Sequence, residues 1–231
     1  MFNRPPIHCR PQAYETLAHQ MPVIETPEGL LHGSIALAMH EMPDATPDTV
    51  EPRVEALARR VRERVRSDQP QALLAHLHAV FFEEEGFQGN AEDYYDPANS
   101  YLPAVLESRR GIPITLSLIY KCVADRVGLR AYGINAPLHF LVGIKPAAGE
   151  PMLLIDPFFA GRALSHTEAF EHISQIAGQR IEPDDQLLPI ATHRQWLLRM
   201  VRNLLGIFER HGQTDRMAAM LELASLLRMG L

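Results

Sequence analysis

Hydrophobic residues recur at helical spacing through the first 85 residues of the chain. Between residues 54 and 65 the apolar positions fall on one face of a helix, and residues 69–85 repeat that pattern. An apolar run from Leu30 to Met39 predicts an earlier helix, and Thr49 is a suitable N-cap for the helix at 54–66. Prolines punctuate the segment before these helices, so Cys9 is expected to lie in a flexible start. The pattern predicts an all-helical N-terminal region.

The pattern changes at Gly86, where long helical periods give way to short segments. Pro113 opens a helix that ends near Gly128, since a proline at the first helical position lacks only an N–H that would be unpaired there. Three strands are predicted by short apolar segments at residues 130–135, 139–144 and 152–155. Residues 145–151 form a predicted turn, and residues 100–108 a short helix. A helix followed by antiparallel strands indicates an α+β fold.

Helical periodicity returns at His166 and is interrupted by a loop at residues 182–189. The segment 192–231 predicts two helices around the turn at 211–215. Several positions in this pair match those of a tetratricopeptide unit: Leu204, Leu205, Phe208, Gly212, Leu221 and Ala224. Both a plain helical hairpin packed on the core and a degenerate repeat with a partner groove remain open.

Three regions are therefore predicted along the chain. Residues 1–90 form an N-terminal helical region, residues 91–175 an α+β core, and residues 176–231 a C-terminal helical hairpin.

Composition narrows the classes of function. A formal net charge of −6 disfavours general binding to nucleic acid, which needs clustered lysine and arginine. The arginine-rich stretch 59–66 lies on a helical pattern with glutamates nearby, and it is interpreted as a solvated helix face. Cys9 and Cys122 are the only cysteines, which argues against a disulfide scaffold or a zinc motif and favours a reduced, cytoplasmic protein. No apolar run approaches the roughly 20 residues that span a bilayer. No cofactor, metal, membrane or nucleic-acid partner is expected.

The residues around Pro113 carry the candidate chemistry. The helix that starts there is apolar on all sides, which is typical of a buried helix. Its N-terminus would offer unpaired N–H groups and a positive dipole end to an anion or a developing oxyanion. His139 begins one predicted strand and Asp156 ends the next, so antiparallel pairing would set the carboxylate against the imidazole. This is the arrangement of a thiol-protease or acyl-transfer triad, although a core histidine and a turn-forming aspartate remain open alternatives.

Four ordered motifs extend this pattern: Asp96-Pro97-Ala98-Asn99-Ser100-Tyr101-Leu102, residues 105–116, residues 133–142, and Asp156-Pro157-Phe158. Together they resemble the transglutaminase-like core of the bacterial invasion-regulator-like family, a segment related to which occurs in certain eukaryotic F-box proteins. The resemblance covers residues 86–170 closely and the helical flanks more loosely. It implies a papain-like core, a buried helix against a small antiparallel sheet, with helical N-terminal and C-terminal flanks. The C-terminal helices of family members are often tetratricopeptide-like. The family's biochemical activity is poorly defined.

The chain departs from this superfamily at the nucleophile. Active members carry a cysteine where the core helix begins, whereas this turn reads Ile112-Pro113-Ile114-Thr115. Thr115 is the only nucleophilic side chain in the turn, and Ser117 lies half a turn further on. Cys122 lies about 10 Å down the helix and is interpreted as a core residue. Thr115 itself is interpreted either as a packing residue or as a nucleophile.

Three hypotheses of function follow. A degenerate, non-catalytic protein that binds a protein or peptide partner is preferred. The alternative is an amide hydrolase or acyl transferase that uses Thr115, or Ser117, with His139 and Asp156. In the third, the C-terminal helices act as a scaffold.

Four further residues are assigned to binding at the site: Asn99, Arg109, Arg110 and Pro113. The two arginines lie just before the core helix, where they would hold an anionic group at its N-terminus. Surface salt bridges are the other interpretation of this pair.

Overall fold

Helices at both ends of the chain enclose a small sheet. The computed structural model describes residues 5–146 and 151–229. Its helices are α1 (Pro11–Gln20), α2 (Pro27–Met39), α3 (Pro47–Arg64), α4 (Pro70–His78), α5 (Leu102–Ser108), α6 (Pro113–Arg126), α7 (His166–Ala177), α8 (His193–Arg210) and α9 (Thr214–Arg228). Its strands are β1 (Gln88–Gly89), β2 (Arg110–Gly111), β3 (Arg130–Ile134), β4 (Leu141–Lys145), β5 (Leu153–Asp156) and β6 (Arg162–Leu164). The predicted α+β fold is confirmed.

Helices α2 and α3 each begin with a threonine at the N-cap and a proline at the first helical position. The Thr26 side chain accepts a hydrogen bond from the Gly29 N–H at the start of α2. Thr46 and Thr49 form a reciprocal capping box at the start of α3. The prediction of Thr49 as the N-cap was therefore wrong, because Thr46 takes that place and the helix starts earlier, at Pro47. The second predicted helix is α4, which continues as a π-helix through residues 79–84.

Helix α6 lies at the centre of the molecule, and all its residues from Pro113 to Ala124 are buried. Each large apolar side chain on it contributes about 1.5–3 kcal/mol on burial. The buried indole of Trp196, on α8, donates a hydrogen bond to the Ile114 carbonyl at 3.2 Å and so ties α8 to the first turn of α6. Gly133 on β3 allows this approach, because a Cβ there would lie 2.2 Å from a ring carbon of Trp196.

The main sheet is antiparallel in the order β3-β4-β5-β6. Val142 on β4 pairs with Gly133 on one side and with Ile155 on the other. Strand β4 begins at Leu141, so His139 lies in the preceding loop and not in the strand as predicted. Strand β6 was not predicted, because it is short and two of its three residues are exposed. The turn predicted at 145–151 lies largely outside the described residues.

Helices α8 and α9 form a hairpin whose buried faces join the core that runs from Cys9 to Leu227. The Glu222 carboxylate on α9 accepts hydrogen bonds from the backbone N–H groups of residues 7–9. Cys9 is consequently only 4% exposed, and the expectation of a flexible start at this residue was wrong. The region boundaries at residues 90 and 175 stay a prediction. Within the described ranges, none of the helices has both the length and the apolar character needed to cross a membrane.

Candidate functional site

The sheet brings His139 and Asp156 into contact. His139 Nε2 lies 2.7 Å from Asp156 Oδ2, and the two side chains are 3% and 1% exposed. Asp156 ends β5, while the loop before β4 carries His139 back over the same end of the sheet. The carboxylate therefore fixes the orientation of the ring and leaves Nδ1 on the side away from the aspartate.

Local backbone structure holds both residues in place. Leu138, directly before His139, adopts a left-handed conformation with φ 57°, which is strained for a residue with a branched side chain. The other oxygen of Asp156 accepts a hydrogen bond from the Phe158 N–H at 3.0 Å and caps the short 3₁₀ turn at 157–159. Asp156 thus serves both as a turn residue and as the partner of His139.

A second histidine, which the sequence reasoning missed, faces the same carboxylate. His172 on α7 places Nε2 3.5 Å from Asp156 Oδ2, and among the described residues this buried nitrogen makes no hydrogen bond. Its ring lies 5.3 Å from that of His139. Burial lowers the pKa of His172 below its ordinary value of 6.5. The negative charge of Asp156 opposes this shift, and the positive charges of His139 and Arg162 add to it by smaller amounts. The sequence signal that could have identified His172 is its helical spacing from Ala169 and Ile173, which lie on the buried face of α7.

Aromatic rings enclose the histidine pair. Phe158 and Phe159 each lie 6.3 Å from the His139 ring, and Phe159 lies 4.7 Å from the His172 ring. Phe159 is 46% exposed and forms the outer wall. This apolar enclosure favours the neutral form of His172.

Three donor groups meet here within 4.8 Å of one another: His139, Asp156 and His172. Two imidazoles and a carboxylate form a possible ligand set for a transition metal. Donors about 2.1 Å from a tetrahedral metal lie more than about 3 Å apart, whereas His139 and Asp156 are already in hydrogen-bond contact at 2.7 Å. The arrangement therefore fits a hydrogen-bonded pair better than a metal centre, and the expectation of no metal stays a prediction.

His139 and the start of α6 share one cavity. It has a volume of about 250 Å³ and is lined by Tyr94, Pro113, Ile114, Leu138, His139, Phe140, Arg199 and Asn203. The helix N-terminus and the imidazole are thus brought together as the motif spacing predicts, but Thr115 does not line this cavity.

The hydroxyl candidates lack an activating base. Thr115 is 0% exposed, and in the described part of the chain its Oγ1 has no hydrogen-bond partner. Ser117 is equally buried and donates to the Phe140 carbonyl at 3.4 Å. A hydroxyl nucleophile needs a hydrogen-bonded base, so this geometry supports the interpretation of Thr115 as a packing residue.

Neither cysteine is poised for chemistry. Burial raises the pKa of the Cys122 thiol to about 12, and burial followed by the charge of Glu222 does the same for Cys9. A thiol is nucleophilic only as a thiolate, so both cysteines behave as small apolar residues.

The other predicted binding residues lie around α6 with partners of their own. Arg109 donates to Glu85 at 2.7 Å and packs over the Phe87 ring. Arg110 lies 3.6 Å from Glu92. Neither arginine lines the cavity that contains His139. Their assignment to binding stays a prediction, and the contacts match the salt-bridge interpretation.

Asn99 and Pro113 differ from this pair. Buried Asn99 donates to the Asp93 carbonyl at 2.6 Å, and its own backbone carbonyl accepts from the Ile112 N–H. It therefore positions the residue before α6. Pro113 is the binding residue that does line the His139 cavity.

Comparisons with known proteins support the resemblance at the level of the superfamily. The family model described as the transglutaminase-like superfamily matches residues 48–202. The UPF0162 protein of Xylella fastidiosa is 34% identical over 194 residues, which cover 82% of this chain and 68% of the relative. The UPF0162 protein of Pseudomonas aeruginosa is 25% identical over 211 residues, which cover 89% of this chain and 74% of the relative.

A second kind of relative matches a shorter part of the chain. F-box only protein 21 of Homo sapiens is 33% identical over 146 residues, which cover 61% of this chain and 22% of that protein. No solved structure matches. The superfamily model covers more than half of the chain and includes both His139 and Asp156. The chain therefore belongs to the transglutaminase-like superfamily.

Proposed function

We propose that this chain is a degenerate transglutaminase-like protein that binds a protein or peptide partner instead of transforming it. One observation carries the proposal. The first turn of α6 borders the cavity of His139 with Pro113 and Ile114, and it supplies neither a thiol nor a hydroxyl to the imidazole. A site that keeps its base and orienting carboxylate without a nucleophile retains a shaped cleft but lacks the covalent step.

The surface around the cleft supports a binding role. Leu138 at its edge is 64% exposed, and Tyr95, which follows the lining residue Tyr94 in the chain, is 48% exposed. Exposed apolar and aromatic side chains beside a concave surface are common at sites of protein recognition. We further propose that the chain is one of the invasion-regulator-like proteins and that it is cytoplasmic. We also propose that it comprises the regions 1–90, 91–175 and 176–231, and that α8 and α9 act as a tetratricopeptide-like pair.

The alternative is an amide hydrolase or acyl transferase. The intact buried pair of His139 and Asp156 favours it, since 2.7 Å is the geometry of an oriented general base. In this reaction the hydroxyl of Thr115 or Ser117 would attack an amide carbonyl, and His139 would accept its proton and give it to the amine that leaves as the C–N bond breaks. Water or an acceptor amine would then attack the ester and release the acyl group. The side chain of Thr115 would first have to reach the cavity.

Labelling with a fluorophosphonate probe, read by intact-protein mass spectrometry, distinguishes the two. We expect no adduct on the native protein, and the same result for Thr115→Ala and Ser117→Ala. An adduct on the native protein that disappears in Thr115→Ala, and in His139→Gln, would establish the enzyme and overturn the proposal.

The scaffold hypothesis is tested separately, by ending the chain after Pro189. If α8 and α9 alone hold the partner, that truncation abolishes binding while residues 5–189 keep their circular dichroism spectrum. Because Trp196 bonds the first turn of α6, we expect instead that the truncated core loses stability together with binding.

A further inference from the structure

A groove runs along one face of α8 beside the His139 cavity. Two further cavities, of about 560 and 220 Å³, share lining residues with it and so lie side by side along the helix. Asn203 lines all of them, and Arg199 and Arg202 each line two. We call this surface the α8 groove and define it by Gln195, Arg199, Arg202, Asn203, Gly206 and Arg210. At about 100° per residue these positions fall on one face of the helix.

The groove carries positive charge that the protein does not neutralise. Across the ranges the structure describes, none of the three arginines Arg199, Arg202 and Arg210 forms an ion pair, and no carboxylate lines the cavities. Arg199 bonds the Asn135 side chain and the Ala136 carbonyl, and Arg210 lies over the Tyr95 ring. Arg202 is exposed and has no hydrogen bond or ion pair in the same ranges.

This arrangement differs from that of several other arginines at the surface. Arg60 and Arg64 pair with Glu84, and Arg126 pairs with Glu51. The whole chain carries 28 acidic and 22 basic residues, so partners are in excess. The pKa of Arg199 is lowered, mainly by burial. Tyr94 opposes this shift, and the like charge of Arg202 adds to it. An external anion would relieve that repulsion.

The shape of the groove selects a peptide among anionic partners. From Arg199 to Arg210 the helix advances about 16 Å, which matches about five residues of extended chain. Its walls include the apolar side chains of Ile112, Leu138 and Ile207. Gly206 leaves an open floor, since a Cβ there would meet no described atom within 4 Å. Apolar walls between separated guanidinium groups suit alternating apolar and acidic side chains better than a bare phosphate.

We propose that the α8 groove binds an extended acidic peptide segment of about five residues, whose carboxylates pair with Arg202 and Arg210 while its apolar side chains pack against Leu138 and Ile207. This inference rests on the proposed peptide-binding function and names the class of partner. The peptide would run from the cavity beside His139 toward the C-terminal end of α8.

Fluorescence anisotropy with a fluorescein-labelled hexapeptide of alternating glutamate and leucine tests the proposal. We expect it to bind at least about tenfold more tightly than the peptide in which glutamine replaces glutamate, since every tenfold corresponds to about 1.4 kcal/mol. Arg202→Gln and Arg210→Gln should each weaken binding several-fold, and Gly206→Phe should abolish it by filling the floor. Arg59→Gln, which removes an exposed arginine from α3, is the matched control and should bind as the native protein does.

Equal binding of the glutamate and glutamine peptides would overturn the inference, as would equal effects of Arg202→Gln and Arg59→Gln. Hexathymidylate bound as tightly as the peptide would also overturn it, in favour of a nucleic-acid groove. Full competition by millimolar inorganic phosphate would reduce the groove to a simple anion site. Preference for the neutral peptide would overturn the inference but leave the proposed peptide-binding function intact. A covalent adduct on Thr115 would instead overturn the proposed function without changing the anisotropy result.

Discussion

At the scale of single residues, Asp156 has two roles, since it caps the turn at residues 157–159 and also holds His139. One carboxylate oxygen accepts from the Phe158 N–H and the other contacts His139. The sequence presents these as competing interpretations of an Asp-Pro pair, and a carboxylate with two oxygens satisfies both. The neighbouring His172 was not predictable from spacing, because its contact depends on how α7 packs against the end of the sheet.

Replacing Asp156 tests this double role. We expect Asp156→Ala to lower the free energy of unfolding by about 1–3 kcal/mol, because a buried hydrogen bond to His139 and a turn cap are lost together. Urea unfolding measures the change. Asp184→Ala is the matched control, since Asp184 makes the same kind of turn bond, to the Gln186 N–H, at the exposed surface. Equal losses in the two variants would show that the contact with His139 contributes nothing.

The depressed pKa of His172 predicts how stability depends on pH. Its pKa is lowered in the folded protein, so the unfolded chain binds more protons in the interval below the ordinary value of 6.5. The contribution of His172 to the free energy of unfolding is therefore fully present above about pH 6.5 and is lost as the pH falls. The lowered pKa values of His40 and His193 act in the same direction.

His172→Gln should make this acid-side decline shallower. Urea unfolding at pH 7.5, 6.5 and 5.5 measures the slope, and His211→Gln, which removes an exposed histidine, is the control. A decline in His172→Gln as steep as that of the native protein would contradict the assigned burial of the imidazole.

At the scale of elements, periodicity predicted the helices well and their ends less well. Helix α6 was predictable because it is apolar on every side and opens with Pro113. The start of α3 was misplaced because Pro47 and Pro52 are typical of a loop. Pro47 instead takes the first helical position, where its missing N–H needs no partner, and Pro52 lies inside the helix. The position of His139 before β4 depends on the left-handed Leu138, which no periodicity encodes.

Two glycine-to-alanine changes test the packing of α8. At Gly133 a Cβ would overlap the Trp196 ring, and we expect Gly133→Ala to cost about 1–3 kcal/mol of stability. Gly206 lies within α8 in open space, so Gly206→Ala should stabilise the protein by about 0.5–1 kcal/mol through helix propensity. Thermal unfolding of both variants measures the shifts. Changes of the same sign would contradict the placement of α8 against β3.

At the scale of the whole molecule, the ends of the described chain are joined. Burial alone would raise the pKa of Glu222, but the N–H groups of residues 7–9 lower it overall. The carboxylate thereby holds the N-terminal segment against α9 and covers Cys9. This contact was not predictable from the sequence, because it joins residues more than 200 positions apart and leaves no local pattern.

This contact predicts the reactivity of the thiols. In the native protein neither Cys9 nor Cys122 should react with Ellman's reagent at pH 8, since both are buried and their pKa values are raised. Glu222→Gln should speed the labelling of Cys9 by tenfold or more, on the order of 1.4 kcal/mol of lost protection, while Cys122 stays protected. Glu171→Gln, an exposed change on α7, is the control. Rapid labelling of Cys122 in the native protein would contradict the buried state of α6.

On this view the cleft beside His139 binds its partner without transforming it. The decisive measurement is mass spectrometry of the labelled acidic hexapeptide and of the protein after prolonged incubation together at neutral pH. We expect an intact peptide and an unmodified protein at concentrations where anisotropy shows the peptide to be bound. Cleaved peptide, or an acyl group on Thr115 or Ser117 that His139→Gln removes, would contradict it.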